Sequence, residues 1–165
     1  MELRVTRGSV TEVETPALVV NCYQASGPLS GATGAVDEAL DGQLSALLTE
    51  GEITGRLEEV TLLHTAGRLP ARRVLVVGLG PRATCDLEAL RRAMGVATRR
   101  LLQHKITSFH TILHGGGDLA ATGVETRDLA QALAEAAVLA GYRCDAYKTV
   151  GEEADGDAPR PTPRL

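Results

Sequence analysis

The sequence predicts a three-layer α/β/α sandwich built on a mixed, largely parallel sheet. Apolar runs of strand length alternate along the chain with stretches of helical periodicity, the pattern of an α/β domain. The two strongest runs, Ala17-Leu-Val-Val-Asn-Cys-Tyr23 and Arg73-Val-Leu-Val-Val-Gly78, show no polar alternation, as befits strands covered on both faces. The 165 residues are 44% hydrophobic and 23% charged, enough for one ordinary core without disulfide or metal support.

In chain order, Glu2 to Arg7 alternates polar and apolar and reads as a short first strand. After the run ending at Tyr23, Gly27-Pro-Leu-Ser-Gly-Ala-Thr-Gly34 is expected to be irregular. Val36, Leu40, Leu44, Leu47 and Leu48 then fall at helical spacing, and Gly42 is placed to divide that helix. Gly51 and Gly55 bracket a loop before a strand from Glu59 to Thr65. The strand from Arg73 is expected to stop at Gly78-Leu-Gly80-Pro81. A long amphipathic helix follows on Leu87, Leu90, Met94, Ala97 and Leu101, capped by Thr84 or Asp86. Thr107 to Leu113 is a further strand ended by Gly115-Gly-Gly117, and a last alanine-rich helix covers Thr126 to Tyr142. Residues 1–150 thus form the domain. Residues 151–165, acidic and then carrying Pro159, Pro161 and Pro163, read as a linker or tail.

Bulk properties exclude several roles. One Phe, three Tyr and no Trp leave almost no stacking platform for bases, and the net charge of −4 offers no general attraction for a polyanion, so a nucleic-acid partner is not expected. Cys22, Cys85 and Cys144 are odd in number, widely spaced and without a CxxC, as for plain thiols in a reducing compartment. No apolar run is long enough for a membrane span and no signal-like segment opens the sequence, so the expectation is cytoplasmic.

The order of the segments carries more than any one of them. Leu29-Ser-Gly31 leads to Val36-Asp-Glu-Ala-Leu40, then Leu47-Leu-Thr-Glu-Gly51, Val74-Leu-Val-Val-Gly-Leu-Gly80, Arg91-Arg-Ala93 and Gly141-Tyr-Arg-Cys-Asp-Ala-Tyr-Lys-Thr149. This succession resembles the N-terminal domain of the cytosol (leucyl, M17) aminopeptidase family. There a similar VGLG follows a central strand, and a similar YRFDxYKT precedes the linker to the catalytic domain; Cys144 stands here where Phe is usual. The resemblance implies a macro-domain-like fold and an accessory role beside a C-terminal catalytic domain. The parent enzyme would be a hexamer that releases N-terminal residues from peptides with two divalent metals, zinc or manganese. The family's catalytic motifs, similar to NTDAEGR and GKGxTFD, do not occur in this sequence. No catalytic residue, metal ligand or cofactor is therefore assigned to this chain, which is expected to be inactive alone.

Five residues stand out as candidate ligand contacts. Val19-Val-Asn21, the glycine-rich loop and Gly34-Ala-Val-Asp-Glu-Ala-Leu40 are similar to the ADP-ribose-binding stretch of macro domains, which singles out Asn21, Gly31 and Gly34. Ala32-Thr33 interrupts the triple glycine found there. Gly78 and Gly80, placed between a strand and a helix, are positioned to present backbone N–H groups to a phosphate; the alternative is a turn that lets strand and helix pack closely. A free-standing module for ADP-ribose or a related nucleotide is accordingly the second functional expectation. A DNA- or protein-interaction domain is the third, resting on Arg91, Arg92, Arg99, Arg100, His104 and Lys105 along one helix. The triplet Gly115-Gly-Gly117 reads as a surface loop or as the flank of a ligand. His110 and His114, four apart on an expected strand, would sit about 13 Å from each other, too far for a compact metal site.

Overall fold

The computed structural model describes residues 2–25 and 27–142. The closing motif from Arg143 to Thr149, Cys144 within it and the expected tail at 151–165 lie outside the described residues. The continuous apolar runs become the two central strands, β1 (Leu18–Gln24) and β3 (Arg73–Pro81), which pair in parallel with Leu18 opposite Val74 and Val20 opposite Val76. Among the described residues the sheet has four strands in the order β2-β3-β1-β4. β2 (Val60–His64) runs antiparallel to β3, and the two-residue β4 (His110–Thr111) runs parallel to β1. The mixed, largely parallel sheet is as expected.

Period-two alternation along the central strands sends side chains to two separate cores. Val19, Leu75, Val77 and Leu79 face α3 (Leu87–Gln103) and α5 (Thr126–Gly141), meeting Leu90, Met94, Ala97, Leu101, Leu129 and Leu133. Leu18, Val20, Cys22, Val74 and Val76 face the other way, onto Val36, Leu40 and Leu44 of α1 (Gly31–Ala39) and α2 (Gln43–Glu50). Each fully buried leucine of this kind contributes about 1.5–3 kcal/mol relative to exposure. The chain crosses from β1 to β3 in one direction along the sheet and from β3 to β4 in the other. Connections of one hand that run in opposite directions put their helices on opposite faces, which gives the three layers.

Local chemistry fixes the helix ends. Gly42 adopts φ 77°, a left-handed conformation that glycine accepts without penalty, and it divides the expected helix into α1 and α2. Gly42 has no side chain to cap α2, and the buried Asp37 takes over: its carboxylate accepts the Leu44 N–H at 2.8 Å and the Ser45 N–H at 3.1 Å. Asp86 caps α3 by accepting the Ala89 N–H at 2.8 Å. Ala93 and Ala97 of α3 and Ala132, Ala136 and Ala137 of α5 are buried, and these small side chains let the two helices pack closely on the sheet.

Four segments differ from expectation. Glu2 to Arg7 is not a strand; no described neighbour offers it a ladder, and Val5 is 96% exposed. The strand expected over Thr107 to Leu113 shrinks to His110–Thr111, because only Leu18 and Val19 pair with it before the chain turns away. The loop expected through Gly34 ends earlier: α1 begins at Gly31 and includes Gly34. Gly78 and Gly80 do not form a turn after the strand; β3 continues through both to Pro81.

Candidate functional site

Parallel α/β sheets open a crevice at the carboxyl ends of neighbouring strands whose following helices go to opposite faces. β1 and β4 are such a pair. The loop after β1 enters α1 on one face, and the chain after β4 enters α4 (Gly116–Ala120) and α5 on the other. A cleft of about 330 Å³ lies there, walled by the end of β1, residues 28–33, Arg82, Ile112, Leu113 and residues 115–118.

A buried histidine behind the cleft holds one of its lining side chains, Asn21. His114 is 0% exposed; its Nδ1 lies 3.0 Å from Asn21 Oδ1 and its Nε2 lies 2.9 Å from the Thr111 hydroxyl. The amide oxygen can only accept, so Nδ1 carries the hydrogen and Nε2 receives the threonine proton. Burial pushes the imidazole down to about 4, so it is neutral at physiological pH. On the opposite side of β1's end, the Thr33 hydroxyl donates to the Asn21 carbonyl at 2.9 Å, tying the first turn of α1 to the strand. The Asn21 side chain is thus oriented by its oxygen, and its amide nitrogen is the donor left for the cleft.

One wall is charged. Arg82, in the 3-10 turn after β3, places its guanidinium 5.1 Å from the Tyr23 ring centre and 3.2 Å from the Asp118 carboxylate on α4. Burial, then Cys85 and a hydrogen bond with Asp118, push the Tyr23 phenol up, so it stays protonated. Burial likewise raises the Cys85 thiol, against the lowering effect of its hydrogen bond with Tyr23. Cys22, under the same strand end, is pushed up to about 12 by burial and then by Glu59. Neither thiol has the low pKa of a nucleophile.

Of the five candidate contacts, the structure brings Asn21 and Gly31 to the cleft wall and sets the other three elsewhere. Gly34 lies against the Leu29 carbonyl, where an added Cβ would sit 2.9 Å from the oxygen. The Gly78 N–H is bonded to Glu59 O at 2.8 Å and the Gly80 N–H to Gly55 O at 2.9 Å. Gly78 is required by a crossing segment, since a Cβ there would stand 1.9 Å from the Arg56 carbonyl oxygen, and Gly80 by its left-handed backbone at φ 76°. Sequence reasoning misses Tyr23, Arg82 and Asp118, and it weighs His114 only as a metal ligand. Only the glycine triplet hinted at them: it forms part of the wall, with Gly115 at φ 70° as the left-handed cap of α4.

The basic helix meets acidic neighbours. Arg92 pairs with Glu58 at 3.0 Å, and Arg91 pairs with Glu135 at 3.5 Å and Glu88 at 3.7 Å. Among the described residues no group of three His, Cys, Asp or Glu comes together to hold a metal ion, and no helix is long and apolar enough to cross a membrane.

Residues 19–150 match the model of the cytosol aminopeptidase family, N-terminal domain. A probable cytosol aminopeptidase of Geobacter sulfurreducens is 34% identical over 149 residues, covering 90% of this chain and 29% of the relative. One of Geotalea uraniireducens is 39% identical over 144 residues, 85% of this chain and 27% of the relative. The chain therefore spans a little over a quarter of the length of these relatives. Among solved structures, the macrodomain of Mycobacterium tuberculosis DarG superposes with a TM-score of 0.65 at 18% identity, over 79% of this chain and 86% of that one. A mutant Oceanobacillus iheyensis macrodomain with ADPR gives 0.64 at 18% identity over 80% and 74%. The bottromycin maturation enzyme BotP in complex with Mn gives 0.57 at 21% identity over 82% of this chain and 25% of that one. The fold is macrodomain-like, and the chain belongs to the cytosol aminopeptidase family, whose N-terminal domain it matches.

Proposed function

We propose that this chain serves as the non-catalytic accessory domain of a cytoplasmic, metal-dependent aminopeptidase. The observation that carries this reading is the match of residues 19–150 to the family's N-terminal domain, in relatives of which that domain is only a little over a quarter. The hydrolytic chemistry, release of N-terminal residues with two divalent metals such as zinc or manganese, would belong to the C-terminal catalytic partner domain. BotP, only a quarter of which this fold covers, is a larger enzyme in complex with Mn, which supports metal use in a parent of this kind. Within such an enzyme, by the family resemblance a hexamer, the domain would shape access or assembly. The described residues of this chain offer no cluster that fits a metal.

The test is to assay leucine p-nitroanilide hydrolysis by the chain alone with Mn²⁺ or Zn²⁺, and then in the presence of a relative's catalytic region lacking its own N-terminal domain. The expected outcome is no hydrolysis alone and co-elution of the two pieces on gel filtration. Metal-dependent hydrolysis by the chain alone would overturn the accessory role.

A second reading is favoured by the cleft itself: a binding module for ADP-ribose or a related nucleotide. The Asn21 amide, Arg82 and the backbone at Gly115–Gly117 line a crevice at the strand ends, and a structural neighbour was solved with ADPR. Calorimetry with ADP-ribose checks it, since a bound ligand must also raise the melting temperature by mass action; saturating ligand without heat or thermal shift would remove it. The paired state of Arg91 and Arg92 speaks against a role in holding DNA.

A further inference from the structure

Arg82 and Asp118 reach the cleft wall from different segments, one from the turn that ends β3 and the other from α4. Their carboxylate–guanidinium contact, 3.2 Å long, closes across the wall beside Tyr23 and Asn21. The Arg82 side chain is 60% exposed and the Asp118 side chain 36% exposed. An ion pair so open to water is worth at most about 1 kcal/mol and exchanges partners readily. Around it the cleft presents donors, the Asn21 amide among them, while Asp118 is the carboxylate in the wall. A volume of about 330 Å³ suits a compact ligand.

We propose that Asp118 is an internal competitor for Arg82: a compact phosphoanion enters the cleft by drawing the guanidinium off the Asp118 carboxylate, so Asp118 sets the affinity of the site. This rests on the cleft-binding reading above and adds to it a ligand class, a pyrophosphate or phosphomonoester group, and a residue that restrains binding. The physics is a balance of like and unlike charge. The anion must displace a carboxylate already paired with Arg82 and then lie beside that carboxylate with no guanidinium between them. A phosphoryl group succeeds because its charge and several oxygens match the planar fork of arginine. The stacked position over Tyr23 keeps the guanidinium at the wall while it changes partner. No covalent step is involved.

The experiment is calorimetry of the full chain with inorganic pyrophosphate at low ionic strength, for wild type, Asp118→Asn and Arg82→Gln. Melting temperatures without ligand are recorded alongside. Asp118→Asn keeps the shape and removes the charge. It should bind about tenfold more tightly than wild type, a gain that shrinks as salt screens the site. Arg82→Gln should bind at least about tenfold more weakly. Both variants should melt close to wild type, since an exposed pair adds little stability. Binding to wild type with no gain in Asp118→Asn, or no loss in Arg82→Gln, would overturn the competitor role and leave the cleft reading standing. Absence of binding by both wild type and Asp118→Asn would overturn both.

Discussion

His114 is the residue on which the cleft's geometry and the protein's acid sensitivity meet. Its ring is fully buried, bonded to Asn21 and Thr111, and held neutral with its pKa pushed down to about 4. An unfolded chain would let it titrate near 6.5. Above that pH the ring is neutral in both states and contributes no pH dependence. Between about 6.5 and 4 the unfolded chain takes up a proton that the fold refuses, so stability falls as pH falls, by up to about 1.4 kcal/mol per pH unit and about 3 kcal/mol in all. Below 4 the folded state protonates too and the slope flattens. Carboxylates titrate in the same window, so the measurement is a difference: urea midpoints of wild type and His114→Gln at pH 7, 5.5 and 4.5. Wild type should lose stability more steeply than the variant over that range. Parallel profiles would mean the ring is not buried neutral.

At the scale of elements, two glycines with opposite expected behaviour show why position outweighs residue type. Gly78 lies inside β3 under the segment Gly55–Leu57, whose Gly55 and Arg56 carbonyls face it and Gly80. Gly78→Ala must push that segment off the sheet and should cost about 3 kcal/mol or more. Gly95 sits mid-helix in α3, and an added methyl there would meet nothing nearer than the Arg99 guanidinium at 3.6 Å. Gly95→Ala should therefore stabilise by about 0.5–1 kcal/mol through helix propensity and a less free unfolded chain. Thermal melts of the two variants should move in opposite directions; a destabilised Gly95→Ala would show that the helix has no room at that position.

These glycines also mark what was legible. The central strands, the split helix at Gly42 and the Asp86 cap follow from local rules that need no knowledge of neighbours. Gly78-Leu-Gly80 looked like punctuation because a glycine required by a turn and one required by a crossing backbone are identical in sequence. The site divides as well. Asn21 and Gly31 stand out in the sequence through the likeness of their stretch to the ADP-ribose-binding stretch of macro domains, not through a local rule. Arg82, His114 and Asp118 are ordinary residues until the order β3-β1-β4 brings their loops together, 93 positions apart in the case of Asn21 and His114.

For the whole molecule, the sheet is held unevenly, and the cleft lies on its weaker side. β1 and β3 share a ladder from Leu18–Val74 to Cys22–Gly78 and are buried on both faces. The other wall hangs on β4, joined to β1 through the His110 N–H to Ala17 O at 3.0 Å and the Ile112 N–H to Val19 O at 3.3 Å. Few buried contacts and exposed hydrogen bonds place a segment at the low end of local stability. Amide exchange should therefore show Val74–Val77 opening only with global unfolding, while residues 110–118 open at much lower free energy. That difference gives the cleft a wall able to yield, which the transfer of Arg82 from Asp118 requires. Pyrophosphate should accordingly slow exchange at 115–118 and leave the β3 amides unchanged apart from any rise in global stability. Equal protection of the two strand regions without ligand would mean that the cleft is rigid, and that any ligand has to fit a wall already set.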